Sequence, residues 1–148
     1  ACILASHHPE DYMGHAHEMV CMEKGEIIAS GTPESLYQNP PNKKVAELFG
    51  VLNILDKATV LSLYPSLKIN EGQEIVVWPH EWSYNAQTGI KVSVEKSLFV
   101  GNGYLIVFKS IEGKRFYMHS KTALLENEKK RIQVTIDLCE QRLNSLEV

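Results

Sequence analysis

The pattern of apolar and polar positions changes character once, near Val51, and predicts two domains, 1–50 and 51–148. The first begins with the apolar run Cys2 to Ala5, which predicts a short strand buried on both faces. Ser6-His7-His8-Pro9 ends the run. Proline suits a first helical turn, and Glu10 and Asp11 then lie where the helix dipole favours acids, so a short helix is expected to about Ala16. Met19 to Glu23 and Glu26 to Ser30 predict two strands joined by a tight turn at Lys24-Gly25. Thr32 as N-cap, Pro33 at the first helical position and Glu34 behind it predict a helix that ends near Asn39-Pro40-Pro41. Asn42 predicts a second cap, followed by Val45, Leu48 and Phe49 at helical spacing and Gly50 past the end.

After Gly50 the period shortens. From Ile75 onward β-branched and aromatic residues alternate with polar ones. The expected strands are Ile75–Trp78, Ile90–Leu98, Tyr104–Lys109, Arg115–His119 and Ile132–Leu138, with turns at Gly101-Asn102-Gly103 and Glu112-Gly113. Lys129-Lys130-Arg131, following Glu126 and Glu128, is read as a solvated turn before the last strand. Short strands without a long helix predict a small barrel or sandwich. The fold class of the whole is α+β.

Composition narrows the class. The chain has 148 residues, room for one ordinary domain or for a small domain plus a fragment. Hydrophobic residues make up 44% and charged residues 22%, the balance of a globular chain. A formal charge of −3 gives no electrostatic reason to expect a nucleic-acid partner. Cys2, Cys21 and Cys139 are odd in number and far apart, which argues against a disulfide framework or zinc ribbon and for a reduced, cytoplasmic setting. No apolar run approaches the about 18 residues of a membrane helix. The opening residues lack the basic flank of a signal peptide and predict an excised fragment.

Candidate chemistry centres on the histidines. His7, His8, His15 and His17 are four of six, and imidazole is a common zinc ligand. Their spacing does not place them three or four apart on a helix, and no acid completes a ligand set, so no metal site is expected. Trp78, Trp82 and Tyr84 could stack a ligand, but packing is the simpler expectation: Trp78 into the core, Trp82 and Tyr84 on one strand face. The sequence contains no Gly-x-x-x-x-Gly-Lys-Ser/Thr phosphate loop. ATP hydrolysis by this chain alone is therefore not expected.

The most specific stretch runs without a gap from Ser6 to Gly50. Ser6-His7-His8-Pro9-Glu10-Asp11, Met22-Glu23-Lys24-Gly25-Glu26-Ile27, Gly31-Thr32-Pro33-Glu34-Ser35-Leu36-Tyr37, Gln38-Asn39-Pro40 and Val45-Ala46-Glu47-Leu48-Phe49-Gly50 follow in order. Together they resemble the end of the ATPase domain of ABC transporters, of the importer type that carries a TOBE domain. Further on, Val76-Val77-Trp78-Pro79-His80-Glu81 is similar to the TOBE element Val-x-x-Arg-Pro-Glu, with Trp78 in the arginine position and His80 inserted. Val92-Ser93-Val94-Glu95 is similar to its Val-x-x-Val-Glu strand.

The resemblance implies a remnant of the α/β ABC ATPase core followed by an all-β, OB-like small barrel of TOBE type. It gives His7 the place of the switch histidine, which contacts the γ-phosphate in an intact subunit, and puts His8 where an aspartate is usual. It implies an intact parent that uses ATP and Mg2+, forms a homodimer, and drives membrane permease subunits from the cytoplasmic face, as a peripheral protein of the inner side of the membrane. The compact accessory domain favours uptake of ferric iron, a polyamine or an oxyanion. The signature and Walker B motifs of the family are missing, so neither cofactor is expected here. Cys2 to Ala5 would have lost its sheet neighbours, and self-association of the fragment through Cys2–Ala5 is expected. The rival reading is a free-standing OB-like module that binds a small ligand or a protein.

Overall fold

Lys24 and Gly25 both take left-handed backbone angles, φ 50° and 86°, the geometry of a two-residue hairpin turn that matches strand twist. They join β1 (Met19–Glu23) to β2 (Glu26–Gly31), paired antiparallel with Met22 opposite Ile27. Two short helices follow, each with the cap that its sequence predicts. Thr32 Oγ1 accepts from the Ser35 N–H at 3.1 Å to start α1 (Pro33–Gln38), and Asn42 Oδ1 accepts from the Val45 N–H at 3.0 Å to start α2 (Lys43–Glu47). Cys21, Leu36 and Val45 form the buried centre, flanked by Met19, Ile28, Leu48 and Phe49. The computed structural model describes residues 2–85 and 87–145, and it divides into two compact units after Gly50.

Two expectations for the first unit need correction. Cys2 to Ala5 forms no strand; it is exposed, with Ile3 98% accessible. An apolar run becomes a strand only where backbone partners exist, and among the described residues β1 pairs with β2 alone. The helix to Ala16 is reduced to one 3-10 turn, Pro9–Asp11, followed by turns in which the Met13 and Ala16 N–H groups donate to Pro9 O and Tyr12 O. Gly14 and the lack of a buried apolar stripe leave little to extend it.

In the second unit β3 (Asn53–Asp56) runs into α3 (Lys57–Leu63), capped by Asp56 Oδ1 accepting from the Thr59 N–H at 2.9 Å. β4 (Glu74–Val77) returns antiparallel to β3. The remaining strands are β5 (Ser83–Tyr84), β6 (Ile90–Phe99), β7 (Tyr104–Ser110), β8 (Arg115–Ser120) and β9 (Lys129–Gln133). They form one antiparallel sheet in the order β5-β9-β6-β7-β8. The fold is thus α+β with a five-stranded antiparallel sheet. Alternation along β6 sends Val92 and Val94 inward, where Phe108, Ile106, Ile132, Leu55 and Ile75 complete a dry core.

The last element is α4 (Ile136–Ser145), where a strand over Ile132–Leu138 is expected. Strand pairing instead ends at Gln133, and Thr135 starts the helix: its Oγ1 accepts from the Leu138 N–H and its carbonyl from the Cys139 N–H, each at 3.3 Å. Cys139 and Leu143, four apart on one face, are buried in the core. Lys129 to Arg131 accordingly lie in β9 rather than in a turn. Trp78 is buried as expected, but Trp82 precedes β5 and packs edge-on against Phe116 at 5.4 Å, while Tyr84 is half-exposed.

Two side-chain connections hold this unit together. Asn53, 3% exposed, donates from Nδ2 to Val77 O at 3.1 Å and Tyr117 O at 2.9 Å, and accepts from the Tyr117 N–H at 2.6 Å. It thereby joins the β3–β4 pair to the edge strand β8 and occupies backbone groups that would otherwise invite another strand. Glu81 accepts from the Trp78 N–H at 2.7 Å and pairs with Arg142 of α4 at 3.0 Å. Among the described residues no helix is long and apolar enough to cross a membrane.

Candidate functional site

The loop before Pro9 is set by local hydrogen bonds. Ser6 Oγ donates to Asp11 Oδ2 at 2.5 Å and accepts from the His8 N–H at 3.0 Å, so the segment holding His7 is tied to the 3-10 turn. The imidazole is exposed, its ring centroid 4.1 Å from that of His8 and tilted by 40°. Tyr12 anchors the base of the loop: its hydroxyl donates to Leu48 O at 3.1 Å, and its ring meets Phe49 edge-on at 6.2 Å. Burial pushes the Tyr12 phenol above its ordinary range, which keeps it a neutral donor. An exposed imidazole N–H can donate to a phosphate oxygen.

His15 and His17 are exposed further along the loop, and among the described residues no three His, Cys, Asp or Glu side chains gather to hold a metal. Cys139 lies in the core, where burial raises its thiol pKa to about 11 and leaves it a packing residue. No cradle for a nucleotide is formed by His7 and its neighbours: around it lie Ser6, His8 and Asp11, with no glycine-rich turn opening a helix.

The second unit carries a separate feature that sequence reading missed. A groove of about 870 Å3 crosses β9, β6 and β7. Its cations are Lys91, Lys109, Lys129, Lys130 and Arg131. Strand register assembles four of them on one face: Lys91 lies opposite Arg131, and Ser93 lies opposite Lys129 on one side and Lys109 on the other, whereas Lys130 lies opposite Val92. Lys130 is paired with Glu128 at 2.6 Å and sits 5.8 Å from the Tyr84 ring, and Arg131 donates to Gly89 O at 3.3 Å. The signal was present in Lys91 and Ser93, which alternate with the inward Val92 and Val94, but their partners are 16 to 40 residues away.

No family model matches the sequence.

Proposed function

We propose that the chain is the carboxy-terminal part of the ATP-binding subunit of an ABC importer, in which ATP hydrolysis drives solute uptake. The first unit would bring His7 to the nucleotide of the intact subunit, and the second would be a TOBE-type, OB-like barrel serving regulation and dimerisation. One observation carries the reading. The β1–β2 hairpin is apolar on both faces: Met19, Cys21 and Ile28 pack on the unit's own helices, whereas Val20, Met22 and Ile27 are exposed at 51%, 59% and 67%. A strand pair with two apolar faces is suited to lie inside a larger α/β domain. The order of motifs from Ser6 to Gly50, which resembles the end of an ABC ATPase, supports such a domain as the larger one.

In this reading His7 donates a hydrogen bond to the terminal phosphate and helps hold the attacking water, because phosphoryl transfer rests on positioning and charge stabilisation. The phosphate loop, magnesium ligands and catalytic acid belong to the rest of the subunit. The transporter would comprise a homodimer of this subunit with permease partners, peripheral on the cytoplasmic face of the membrane, carrying ferric iron, a polyamine or an oxyanion. In the full-length subunit, His7→Ala is expected to lower ATP turnover at least about tenfold while nucleotide affinity stays near wild type. Unchanged turnover would overturn the assignment. The groove across β9, β6 and β7 favours a second reading, a self-sufficient ligand-binding module, which predicts that His7→Ala alters nothing.

A further inference from the structure

We propose that the groove across β9, β6 and β7 is a binding site for a small, multiply charged anion of the phosphate class that also carries an apolar body. The inference does not rest on the transporter reading.

The charge arrangement is costly unless something occupies it. Lys91 and Arg131 stand directly opposite each other on adjacent strands, an arrangement that destabilises a sheet. Lys129 and Lys109 flank Ser93 across the same face, roughly 10 Å apart by the spacing of two strand steps. Among the described residues Lys91, Lys109 and Lys129 have no ion-pair partner. The nearby acids are committed elsewhere: Glu95 accepts two hydrogen bonds from Arg115 at 2.8 Å, and Glu128 holds Lys130. A chain of charge −3 thus gathers five cations on one groove, where Glu95, held by Arg115, reaches Lys109 only through its longer-range charge.

The geometry selects the ligand. Three lysines act as point charges, Arg131 offers a planar fork suited to an oxyanion, and the Ser93 hydroxyl supplies a neutral donor between them. Ser93 Oγ makes only a long contact to Lys109 O, 3.4 Å, so it is free to turn toward a guest. Tyr84 and Ile111, the latter 87% exposed, also line the groove and give it apolar surface. The volume lies within the range of small-molecule sites. A nucleic-acid strand is disfavoured because stacking sites use several aromatic rings in succession, and among the described residues Tyr84 is the one aromatic side chain lining the groove.

The test is a titration of the isotope-labelled full chain with inorganic triphosphate at low salt, followed by amide NMR. Saturable shifts confined to residues 91–93, 109–111 and 129–131 are expected. The double variant Lys109→Glu, Lys129→Glu should raise Kd at least about tenfold, about 1.4 kcal/mol. Lys24→Glu with Lys43→Glu, an equal charge change in the other unit, should leave Kd unaltered. Retained amide dispersion shows that each variant is folded. Absence of saturation, or an equal loss in both double variants, overturns the site. A short single-stranded oligonucleotide that binds the same residues more tightly than triphosphate overturns the small-ligand class.

Discussion

The two units satisfy their apolar surface differently. In the second, both sheets, α3 and α4 turn their apolar residues toward one interior, where Leu55, Ile75, Ile106, Phe108 and Ile132 are fully buried. In the first, the buried centre is Cys21, Leu36 and Val45, while Val20, Met22 and Ile27 face outward. Regular local structure is therefore no measure of self-sufficiency. The hairpin and both capped helices of the first unit are as well formed as anything in the second, because turns and caps are short-range devices. What distinguishes the first unit is the exposure of Val20, Met22 and Ile27 on the second face of its hairpin.

The contrast is most sharply broken by hollowing the larger core. Phe108→Ala should destabilise the second unit by about 3–5 kcal/mol, since an aromatic truncated in a packed interior leaves a cavity. Limited proteolysis reads the result: wild type is expected to be cut before Asp56 and to leave a resistant carboxy-terminal core, and the variant should lose that core. A resistant amino-terminal half in the wild type would reverse the comparison.

A smaller effect is expected from Asn53→Ala, which strands the backbone groups of Tyr117 and costs about 2–3 kcal/mol. Thermal unfolding should show the loss, and Asn53→Asp should not restore it, because a carboxylate cannot donate to both carbonyls.

The smallest concerns pH. Hydrogen bonds from Lys114 and Thr59 lower the Asp56 pKa from 3.8 to about 2. A depressed carboxyl contributes stability that is full above its unfolded value and disappears as pH falls through the folded one, so the window runs from about 4 down to about 2. Asp56 is half exposed, so solvent screening keeps the contribution below about 1 kcal/mol. Asp56→Asn retains an N-cap oxygen but should flatten the acid limb of the melting curve across that window.

The elements legible in the sequence were those written in neighbouring residues. Lys24-Gly25, Thr32-Pro33 and Asn42 each specify their turn or cap within four positions, and the structure has all three. Ile132 to Leu138 misled because Ile132, Val134, Ile136 and Leu138 alternate like a strand, while the decisive helical partners, Cys139 and Leu143, lie beyond. Cys2 to Ala5 misled because an apolar run says nothing of what is available to pair with it. The prominence of His7 came from a resemblance, and the structure adds its exposure and the Ser6–Asp11 bond that shapes its loop. The basic groove was illegible for another reason: its charges come from three strands, and register between distant strands is not a local property.

The Asn53 amide also sets an order of events in time. Its two bonds to Tyr117 span 64 residues, so the loop between them is among the last that a folding chain would close. Hairpins such as β7–β8 can form first, and their arrival at β3 is registered by Asn53 on Tyr117 and by the Lys114–Asp56 pair. The Tyr117 N–H, held by Asn53 rather than by a ladder, is consequently a reporter amide: its exchange with solvent follows the parting of the two sheets, not the fraying of one strand.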